Sequence, residues 1–164
     1  MNKPLWRPHR KQQETANLAR FMDQAGKCWS VALDDFETLY NWSIREPEKF
    51  WLSMWDFAGI IAEAQGKQIL VDGDKMPGAQ WFPDARLNYA ENLLRRRDSG
   101  DAIVFWGEES VRRRLTFGEL YDQVSRLTQA LKARGVGEGD RIAGYLPNMP
   151  ETIIAMLATA SLGA

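Results

Sequence analysis

Few residues of this chain could act as a catalytic nucleophile or a general base. The sequence contains one histidine and one cysteine. His9 lies between Arg7 and Arg10 in a polar N-terminal segment, and Cys28 lies between Lys27 and Trp29 with no helix start beside it. Because nucleophilic catalysis needs a base held at hydrogen-bond distance from the nucleophile, the sequence predicts neither histidine-based catalysis nor a reactive thiol.

Two segments resemble ligand-binding loops but lack part of the pattern. Asp72 and Asp74 imitate the start of a calcium loop, yet the third oxygen ligand and the closing glutamate are missing. The glycine-rich segment 135–139 before Arg141 lacks the spacing of a phosphate loop, and it leads from a predicted helix into a predicted strand, the reverse of a phosphate loop. Both segments are therefore predicted to be plain turns.

Aromatic and arginine clusters have two interpretations each. Trp51 and Trp55, with Trp42 nearby, could cage a cation, but their helical spacing favours burial in a core. The triplets Arg95–Arg97 and Arg112–Arg114 could bind phosphate together. They are also explained as cations in the last turn of a helix and as charges that protect an edge strand from further pairing.

One loop has a positional argument for binding a ligand. The run 141–146 predicts a strand, and the segment 147–150 leaves its carboxyl end. Ligands of open parallel sheets bind beyond the carboxyl ends of strands. Asn148 in this loop could contact a ligand or could simply cap the helix that follows.

Short helices are predicted for the first half of the chain. Apolar periodicity indicates helices over residues 12–25 and 34–42, the first ended by Gly26 and the second opened by a capping box of Asp34 and Glu37. A third helix begins at Pro47 and is closed by Gly66. Six of the seven tryptophans precede residue 100. With a boundary in the loop 72–83, residues 1–84 are interpreted as a tryptophan-rich helical extension.

In the second half of the chain, the spacing of apolar residues indicates strands as well as helices. A helix over 87–97 is followed by a predicted hairpin of 102–106 with 111–115, and then by a helix that Thr116 and Glu119 open and Gly135 ends. A strand over 141–146 and a helix over 150–162 complete the order.

This alternation predicts an α/β fold for residues 85–164, namely the first strands and helices of an incomplete, mostly parallel sheet with helices on both faces. The final helix is apolar on nearly every side and needs covering by neighbours that the sequence does not contain. We therefore expect a truncated chain.

Composition excludes several classes of partner. The formal net charge is −1 and the sequence pI is about 5.9, which gives no whole-chain attraction to nucleic acid or to an anionic membrane. The most apolar run, 153–162, is too short to span a bilayer, and the polar N-terminus does not resemble a signal peptide. One cysteine cannot form an internal disulfide, so a reducing cytoplasmic location is expected.

Several motifs resemble the opening of the adenylate-forming acyl-CoA synthetases. The residues that carry this resemblance are Leu115–Leu120 (LTFGEL), Gly139–Ile142 (GDRI), Leu146–Asn148 (LPN), Ala155–Ala158 (AMLA) and Leu162–Ala164 (LGA). The upstream residues are similar to the acetoacetyl-CoA synthetase family within that superfamily. They are Leu39–Ser43 (LYNWS), Phe50–Trp51, Trp55–Phe57 (WDF), Trp81–Phe82 and Arg86–Leu94 (RLNYAENLL).

The resemblance implies that the full-length protein uses ATP and Mg²⁺ to activate acetoacetate as an acyl-adenylate and then transfers the acyl group to CoA. The family's phosphate loop, nucleotide contacts and catalytic lysine lie downstream of residue 164. No catalytic, cofactor-binding or metal-binding residue is therefore assigned to this chain. Alone, the chain is expected to be inactive and to bind no cofactor, and its partner would be the remainder of its own polypeptide.

Two alternatives stay open. The substrate could be acetate or another short acyl acid, because the acyl pocket is not in this sequence. The chain could instead be a self-sufficient interaction module that binds a peptide or a partner helix through its tryptophan-rich helices.

Overall fold

The chain divides into two compact units. A computed structural model describes residues 5–108 and 110–164. The first unit consists of the residues up to Ile60 together with Gln65–Ala85, and the second of Ile61–Ala64 together with Arg86–Ala164. None of the helices in these described ranges is long and apolar enough to cross a membrane.

Two helices replace the single helix predicted over residues 12–25. Helix α1 spans Arg10–Thr15 and helix α2 spans Asn17–Trp29. The break is at Ala16, whose backbone is extended (φ −65°, ψ 146°). Periodicity of apolar residues does not reveal such a break, because the side chains on either side of it keep a helical spacing.

Gly26 does not end α2, contrary to the prediction. The helix continues to Trp29 and ends at Ser30, which adopts a left-handed backbone with φ 52°. A Cβ atom on Gly26 would lie 2.9 Å from the carbonyl oxygen of Val31. The glycine therefore allows the chain that leaves the helix to fold back against it.

Helix α3 spans Phe36–Arg45 and is capped one residue later than predicted. Asp35, not Asp34, is the N-cap, and its carboxylate accepts a 2.8 Å hydrogen bond from the backbone N–H of Thr38. The Thr38 hydroxyl in turn accepts from the backbone N–H of Asp35 at 3.2 Å. These bonds favour the ionised carboxylate and lower the pKa of Asp35.

Helix α4 spans Pro47–Ala58, so it begins where predicted but ends earlier than Gly66. Gly59 terminates it with a left-handed backbone (φ 60°), a conformation that glycine adopts without steric cost. Gly66 is also left-handed, but it lies in the connection that follows, where a Cβ would meet Asp84 at 2.4 Å.

Aromatic edge contacts organise the core of the first unit. Phe21 lies 5.6 Å from Phe50 and 5.4 Å from Phe57, and both pairs are T-shaped. This geometry adds to the apolar burial that drives packing. Strands β1 (Leu70–Val71) and β2 (Gln80–Trp81) form an antiparallel pair in the same unit. The buried core residues are Phe21, Ala25, Leu33, Leu39 and Trp42.

The second unit confirms the predicted hairpin and the helix after it. Strands β3 (Asp101–Trp106) and β4 (Arg112–Thr116) pair antiparallel. Helix α6 then spans Phe117–Ala133, with the predicted capping box of Thr116 and Glu119 at its start. The chain turns after this helix through Gly135, which has φ 85°.

The helix predicted over 87–97 is much shorter. Helix α5 spans only Tyr89–Leu93, so Arg95–Arg97 lie beyond it and are not cations of a last helical turn. The chain leaves the helix at this point and runs against α6, where two of these arginines lie over aromatic rings. Gly118 allows this approach, since a Cβ at that position would meet the Arg97 carbonyl oxygen at 3.2 Å.

The predicted strand over residues 141–146 is not formed. All six residues are exposed, and none pairs with a strand within residues 5–108 and 110–164. The described sheets are two antiparallel pairs, so the predicted parallel sheet with helices on both faces is not seen. A strand in the middle of a sheet needs partners for its backbone N–H and C=O groups.

The last helix, α7, spans Pro150–Ser161 as expected. It buries Ile154, Leu157 and Ala158 in a core shared with α5, α6 and β4. Ile153 and Met156 on the helix remain 38% and 47% exposed. This apolar surface, without a cover among the described residues, agrees with the expectation that the helix needs further neighbours.

Candidate functional site

The loop at the start of α7 is fixed by bonds from the helix itself. The Thr152 hydroxyl donates a 2.6 Å hydrogen bond to the Pro147 carbonyl oxygen, and the Thr152 N–H donates to the Met149 carbonyl oxygen at 3.0 Å. Pro150 is the first helical residue, which suits its fixed φ and missing N–H. The loop therefore has a defined path before the helix begins.

Asn148 does not cap α7. The N-cap is Met149, which makes no side-chain hydrogen bond to the helix. The side chain of Asn148 is exposed, so the capping alternative raised by the sequence is wrong at this residue. An exposed amide on a fixed loop can donate to or accept from a small molecule, and Asn148 is the residue of this loop best suited to that role.

An ion pair connects the hairpin to the first turn of α7. Arg113 Nη1 lies 2.6 Å from Glu151 Oε1, and both side chains are partly exposed. The Arg113 hydrogen bond lowers the pKa of Glu151, and the position of Glu151 in the first helical turn also suits a negative charge. The other carboxylate oxygen, Oε2, is buried and has no hydrogen-bond partner among the described residues. The pair holds the start of α7 against β4.

The second arginine triplet is engaged by its own hairpin and by α7. Arg112 lies over the ring of Trp106 at 4.5 Å, and Arg114 forms an ion pair with Asp101. Together with the Arg113 pair, these contacts give each arginine of β4 a protein partner. The presence of the second triplet is therefore explained without phosphate binding by the two triplets together.

Arg96 and Arg97 of the first triplet lie over the first two turns of α6. Arg96 makes two 2.9 Å hydrogen bonds to Asp98, and its guanidinium is 3.9 Å from the centre of the Phe117 ring. These bonds raise the pKa of Arg96 and lower that of Asp98. Arg97 lies 3.7 Å over the ring of Tyr121, one helical turn further along. Consecutive arginines thus stack on aromatic residues at i and i+4.

Asn88 and Asn92 have roles that sequence reasoning missed. The Asn88 amide donates to the carbonyl oxygens of Ala160 at 2.9 Å and Ser161 at 3.5 Å, at the end of α7. Its oxygen accepts from the Glu91 N–H at 3.1 Å and caps α5. The motif over Arg86–Leu94 singles out these asparagines, but its spacing does not predict hydrogen-bond partners that lie 72 and 73 residues away.

Asn92 pairs with the backbone of Ile61 in both directions. Its oxygen accepts from the Ile61 N–H and its amide donates to the Ile61 carbonyl oxygen, each at 2.8 Å. Side-chain amides can imitate a backbone strand partner in this way, since they carry one acceptor and a donor group. The two asparagines of this motif therefore hold distant segments of the second unit.

The remaining candidates form no catalytic or metal centre in the described part of the chain. His9 and Cys28 are both exposed. Asp72 forms an ion pair with Lys75 at 2.9 Å in a turn, while the segment 135–139 is also a turn, as both were predicted to be. No group of three His, Cys, Asp or Glu side chains among residues 5–108 and 110–164 could hold a metal ion.

The predicted burial of the tryptophans is right in part. Trp42 is buried, whereas Trp51 is 45% exposed and packs at 5.7 Å against Trp81. Trp55 is partly buried and lies 4.8 Å from Phe82. The aromatic pairs give Trp51 and Trp55 ring partners within the first unit, as packing residues would have.

Comparison with known families gives two adjacent matches. The acetyl-coenzyme A synthetase N-terminus matches residues 36–93, and the AMP-binding enzyme family matches residues 93–164. Together they confirm the resemblance to adenylate-forming acyl-CoA synthetases that the motifs indicate.

Individual relatives extend the likeness along the chain. An acetoacetyl-coenzyme A synthetase of Rhizobium meliloti (strain 1021) is 50% identical over 162 residues, which cover 99% of this chain and 25% of that protein. One from Rattus norvegicus is 37% identical and is matched over 98% of this chain and 24% of its own length. The structure of acetoacetyl-CoA synthetase from Streptomyces lividans superposes with a TM-score of 0.86 at 37% identity, covering 99% of this chain and 26% of that one. The chain spans about a quarter of the length of these relatives.

Proposed function

We propose that this chain supplies the N-terminal part of an acid–thiol ligase that makes acetoacetyl-CoA, because its residues 36–93 match the acetyl-coenzyme A synthetase N-terminus and its residues 93–164 match the AMP-binding enzyme family. The observation that carries this proposal is the 50% identity to the Rhizobium meliloti synthetase over 99% of the chain. In the proposed reaction, the acetoacetate carboxylate attacks the α-phosphorus of ATP and pyrophosphate leaves. The CoA thiol then attacks the acyl-adenylate carbonyl and AMP leaves.

Residues 1–84 would be the helical extension of such a ligase, and residues 85–164 would begin its large α/β AMP-binding domain. The contribution of these parts is structural. The Arg113–Glu151 pair and the Thr152 hydroxyl hold the loop at 147–149, and Asn88 holds the other end of α7. Such fixed elements are what a catalytic site needs in order to align its reactants.

The described residues do not by themselves fit ATP and Mg²⁺. They include neither a carboxylate cluster for a cation nor a glycine-rich loop that leads into a helix start. We therefore assign the binding of ATP, Mg²⁺ and CoA to residues beyond this chain, with Asn148 as the residue closest in kind to a ligand contact. A cytoplasmic location is part of the same proposal.

A chimera tests the proposal. The corresponding N-terminal quarter of the Rhizobium meliloti protein is replaced by residues 1–164, and formation of acetoacetyl-CoA and AMP is measured with acetoacetate, ATP, Mg²⁺ and CoA. We expect thioester formation by the chimera and no pyrophosphate release by the 164-residue chain alone. A cooperatively folded chimera that forms no thioester, or turnover by the chain alone, would contradict the proposal.

Substrate choice is tested with the same chimera. Acetate and propionate are supplied in place of acetoacetate, and kcat/KM is compared with that of the unmodified Rhizobium meliloti protein. Since the family resemblance implies that the acyl pocket is formed by the rest of the ligase, we expect the chimera to keep the preference of the protein that supplies the other three quarters. A changed preference would mean that residues 1–164 take part in selecting the acid.

Exposed tryptophans favour a second candidate function, an interaction module that binds a partner helix. Trp6 and Trp106 are 73% and 67% exposed. Aromatic side chains at a surface are common anchors in protein interfaces. This candidate predicts that the 164-residue chain alone is a monodisperse monomer that unfolds cooperatively, and that iodide quenches most of its tryptophan fluorescence. The ligase proposal instead predicts that residues 141–146, which have no strand partner among the described residues, exchange their amide hydrogens rapidly in the isolated chain.

A further inference from the structure

A cavity of about 760 Å³ lies in the first unit and is lined by α1, α2 and the start of α3. Its apolar wall includes Leu18 and Met22 of α2 and Phe36 of α3. Leu18 is 45% exposed and Phe36 is 67% exposed, so this wall is open to an incoming group. Cavities of this size and composition can enclose a small ligand or the large apolar side chains of a partner.

The charged groups of the cavity lining leave it with a net negative charge. They are three aspartates and one lysine, namely Asp23, Asp34, Asp35 and Lys27. Lys27 is already paired with Asp23 at 2.7 Å. No lysine or arginine of residues 5–108 and 110–164 forms an ion pair with Asp34 or Asp35. The cavity therefore favours a partner that carries a cation next to an apolar group.

The residues that lead up to this cavity in the sequence have the complementary character. Leu5 is fully exposed, Trp6 is 73% exposed, and the cation Arg7 follows them at the surface. None of the three has a hydrogen bond or an ion pair with another described residue. Pro8, which lines the cavity, is held by the Gln13 amide, which donates a 2.7 Å hydrogen bond to its carbonyl oxygen. The first three residues thus form an arm that lies outside the cavity of its own chain.

We propose that the arm of a second copy of this chain occupies the cavity, with Trp6 and Leu5 against the apolar wall and Arg7 paired with Asp34. A tryptophan in an apolar pocket is a common anchor of protein interfaces, and a guanidinium forms a strong charge-assisted pair with a carboxylate. Each copy has one arm and one cavity, so exchange of two arms closes a two-fold symmetric dimer. This inference does not depend on the ligase proposal, because it uses only the first unit and is tested without turnover.

Sedimentation equilibrium of the 164-residue chain, over a wide range of protein concentration, tests the proposal. We expect a reversible equilibrium of monomer and dimer, since two short arms bury a small interface. The dimer should weaken as the salt concentration rises, because the arm and the cavity have opposite charges. A chain that stays monomeric at every concentration and at low salt would overturn the proposal.

Two tryptophan variants show whether the arm forms the interface. Trp6→Ala should weaken the dimer at least about tenfold, because it removes the anchor that enters the cavity. Trp106→Ala is the matched control, since Trp106 is similarly exposed, at 67%, but lies on the hairpin of the second unit. It should leave the dimer unchanged. Equal effects of the two variants, or a dimer that keeps its strength in Trp6→Ala, would show that another surface associates and would contradict the proposal.

Exchanging the charges shows whether the contact is made between copies. Arg7→Glu brings a carboxylate to Asp34, and Asp34→Arg brings a guanidinium to Arg7, so each variant alone should dimerise at least about tenfold more weakly. In a mixture of the two variants, each arm meets a cavity of opposite charge on the other chain, and heterodimers should form. A mixture that stays monomeric, as it would if each arm entered the cavity of its own chain, would overturn the proposal.

Asp34→Asn covers the case in which Asp34→Arg does not fold. It removes the negative charge with little change in the shape of the side chain. Thermal unfolding first shows that the variant is folded, and the sedimentation experiment is then repeated. A dimer weaker than that of the unmodified chain supports the pair with Arg7, and a dimer of unchanged strength overturns the assignment of Asp34 to the interface.

Discussion

Two segments of the second unit, the hairpin 101–116 and the run 141–146, both carry residue patterns typical of strands, but only the first forms strands. Each strand of the hairpin finds its partner a few residues away, with Val104 opposite Arg114 and Trp106 opposite Arg112. The run 141–146 has no neighbour of this kind in the described part of the chain and remains exposed. The difference shows that pairing, rather than composition, decides which strand pattern becomes a strand.

The largest contrast in stability is expected between a buried leucine of α7 and an exposed leucine of the run 141–146 that precedes it. Leu157 is 2% exposed, whereas Leu146 is 49% exposed. Leu157→Ala should lower the free energy of unfolding by about 2 to 5 kcal/mol, through lost burial and the cavity that remains. Leu146→Ala should change it by no more than about 0.5 kcal/mol. Urea unfolding of both variants measures the difference, and equal costs would show that 141–146 is packed in the isolated chain.

A smaller effect is expected where Asn88 holds the end of α7. Asn88→Ala removes the cap of α5 and the bonds to Ala160 and Ser161, and should cost about 1 to 3 kcal/mol. Asn88→Asp keeps the capping oxygen but loses the amide donor, so it isolates the contribution of α7. The exposed Asn148→Ala is the control. If Asn88→Asp is as stable as the unmodified chain, the bond to α7 contributes nothing.

The capping box of α6 tests how much an interaction between residues close in sequence contributes to stability. The Thr116 hydroxyl accepts from the Glu119 N–H at 3.1 Å, directly where β4 ends. Thr116→Ala should destabilise the chain by about 0.5 to 2 kcal/mol, and Thr116→Ser should restore most of the loss. Helix content by circular dichroism and urea unfolding provide the measurement. Failure of serine to rescue would mean that the threonine methyl group, not the cap, matters.

The smallest effect concerns the pH dependence of the Arg113–Glu151 pair. The folded pKa of Glu151 is below its ordinary value of 4.5, so the pair stabilises the fold above that pH. This stabilisation is lost as the pH falls through the lowered pKa. Between about pH 5 and pH 3, the Tm of the unmodified chain should therefore fall more steeply than that of Glu151→Gln. Parallel Tm profiles would show that the pair does not couple proton binding to folding.

Local signals made part of this fold predictable from the sequence. The hairpin, the capping box at Thr116 and the start of α4 at Pro47 depend on residues close in sequence, and all three are confirmed. The end of the helix before Arg95 was not predictable in this way. It depends on Arg96 and Arg97 stacking on two rings of α6, a contact between different elements.

The candidate site shows the same division. The position of the loop 147–149 before α7 followed from the sequence, and so did the family resemblance. The N-cap position of Met149 depends on local geometry that residue types do not specify. The ion pair of Glu151 depends on the side chain of Arg113, and the bonds of Asn88 depend on backbone oxygens of α7, all of them distant in sequence. Propensity and periodicity carry no information about such partners.

Hydrogen exchange over residues 141–146 tests the central claim most directly, when measured both in the isolated chain and in the chimera with the Rhizobium meliloti protein. If the chain is the N-terminal part of such a ligase, these amides gain strand partners in the chimera. They should then exchange at least about a hundredfold more slowly than in the isolated chain. Equally rapid exchange in a folded chimera would contradict the claim.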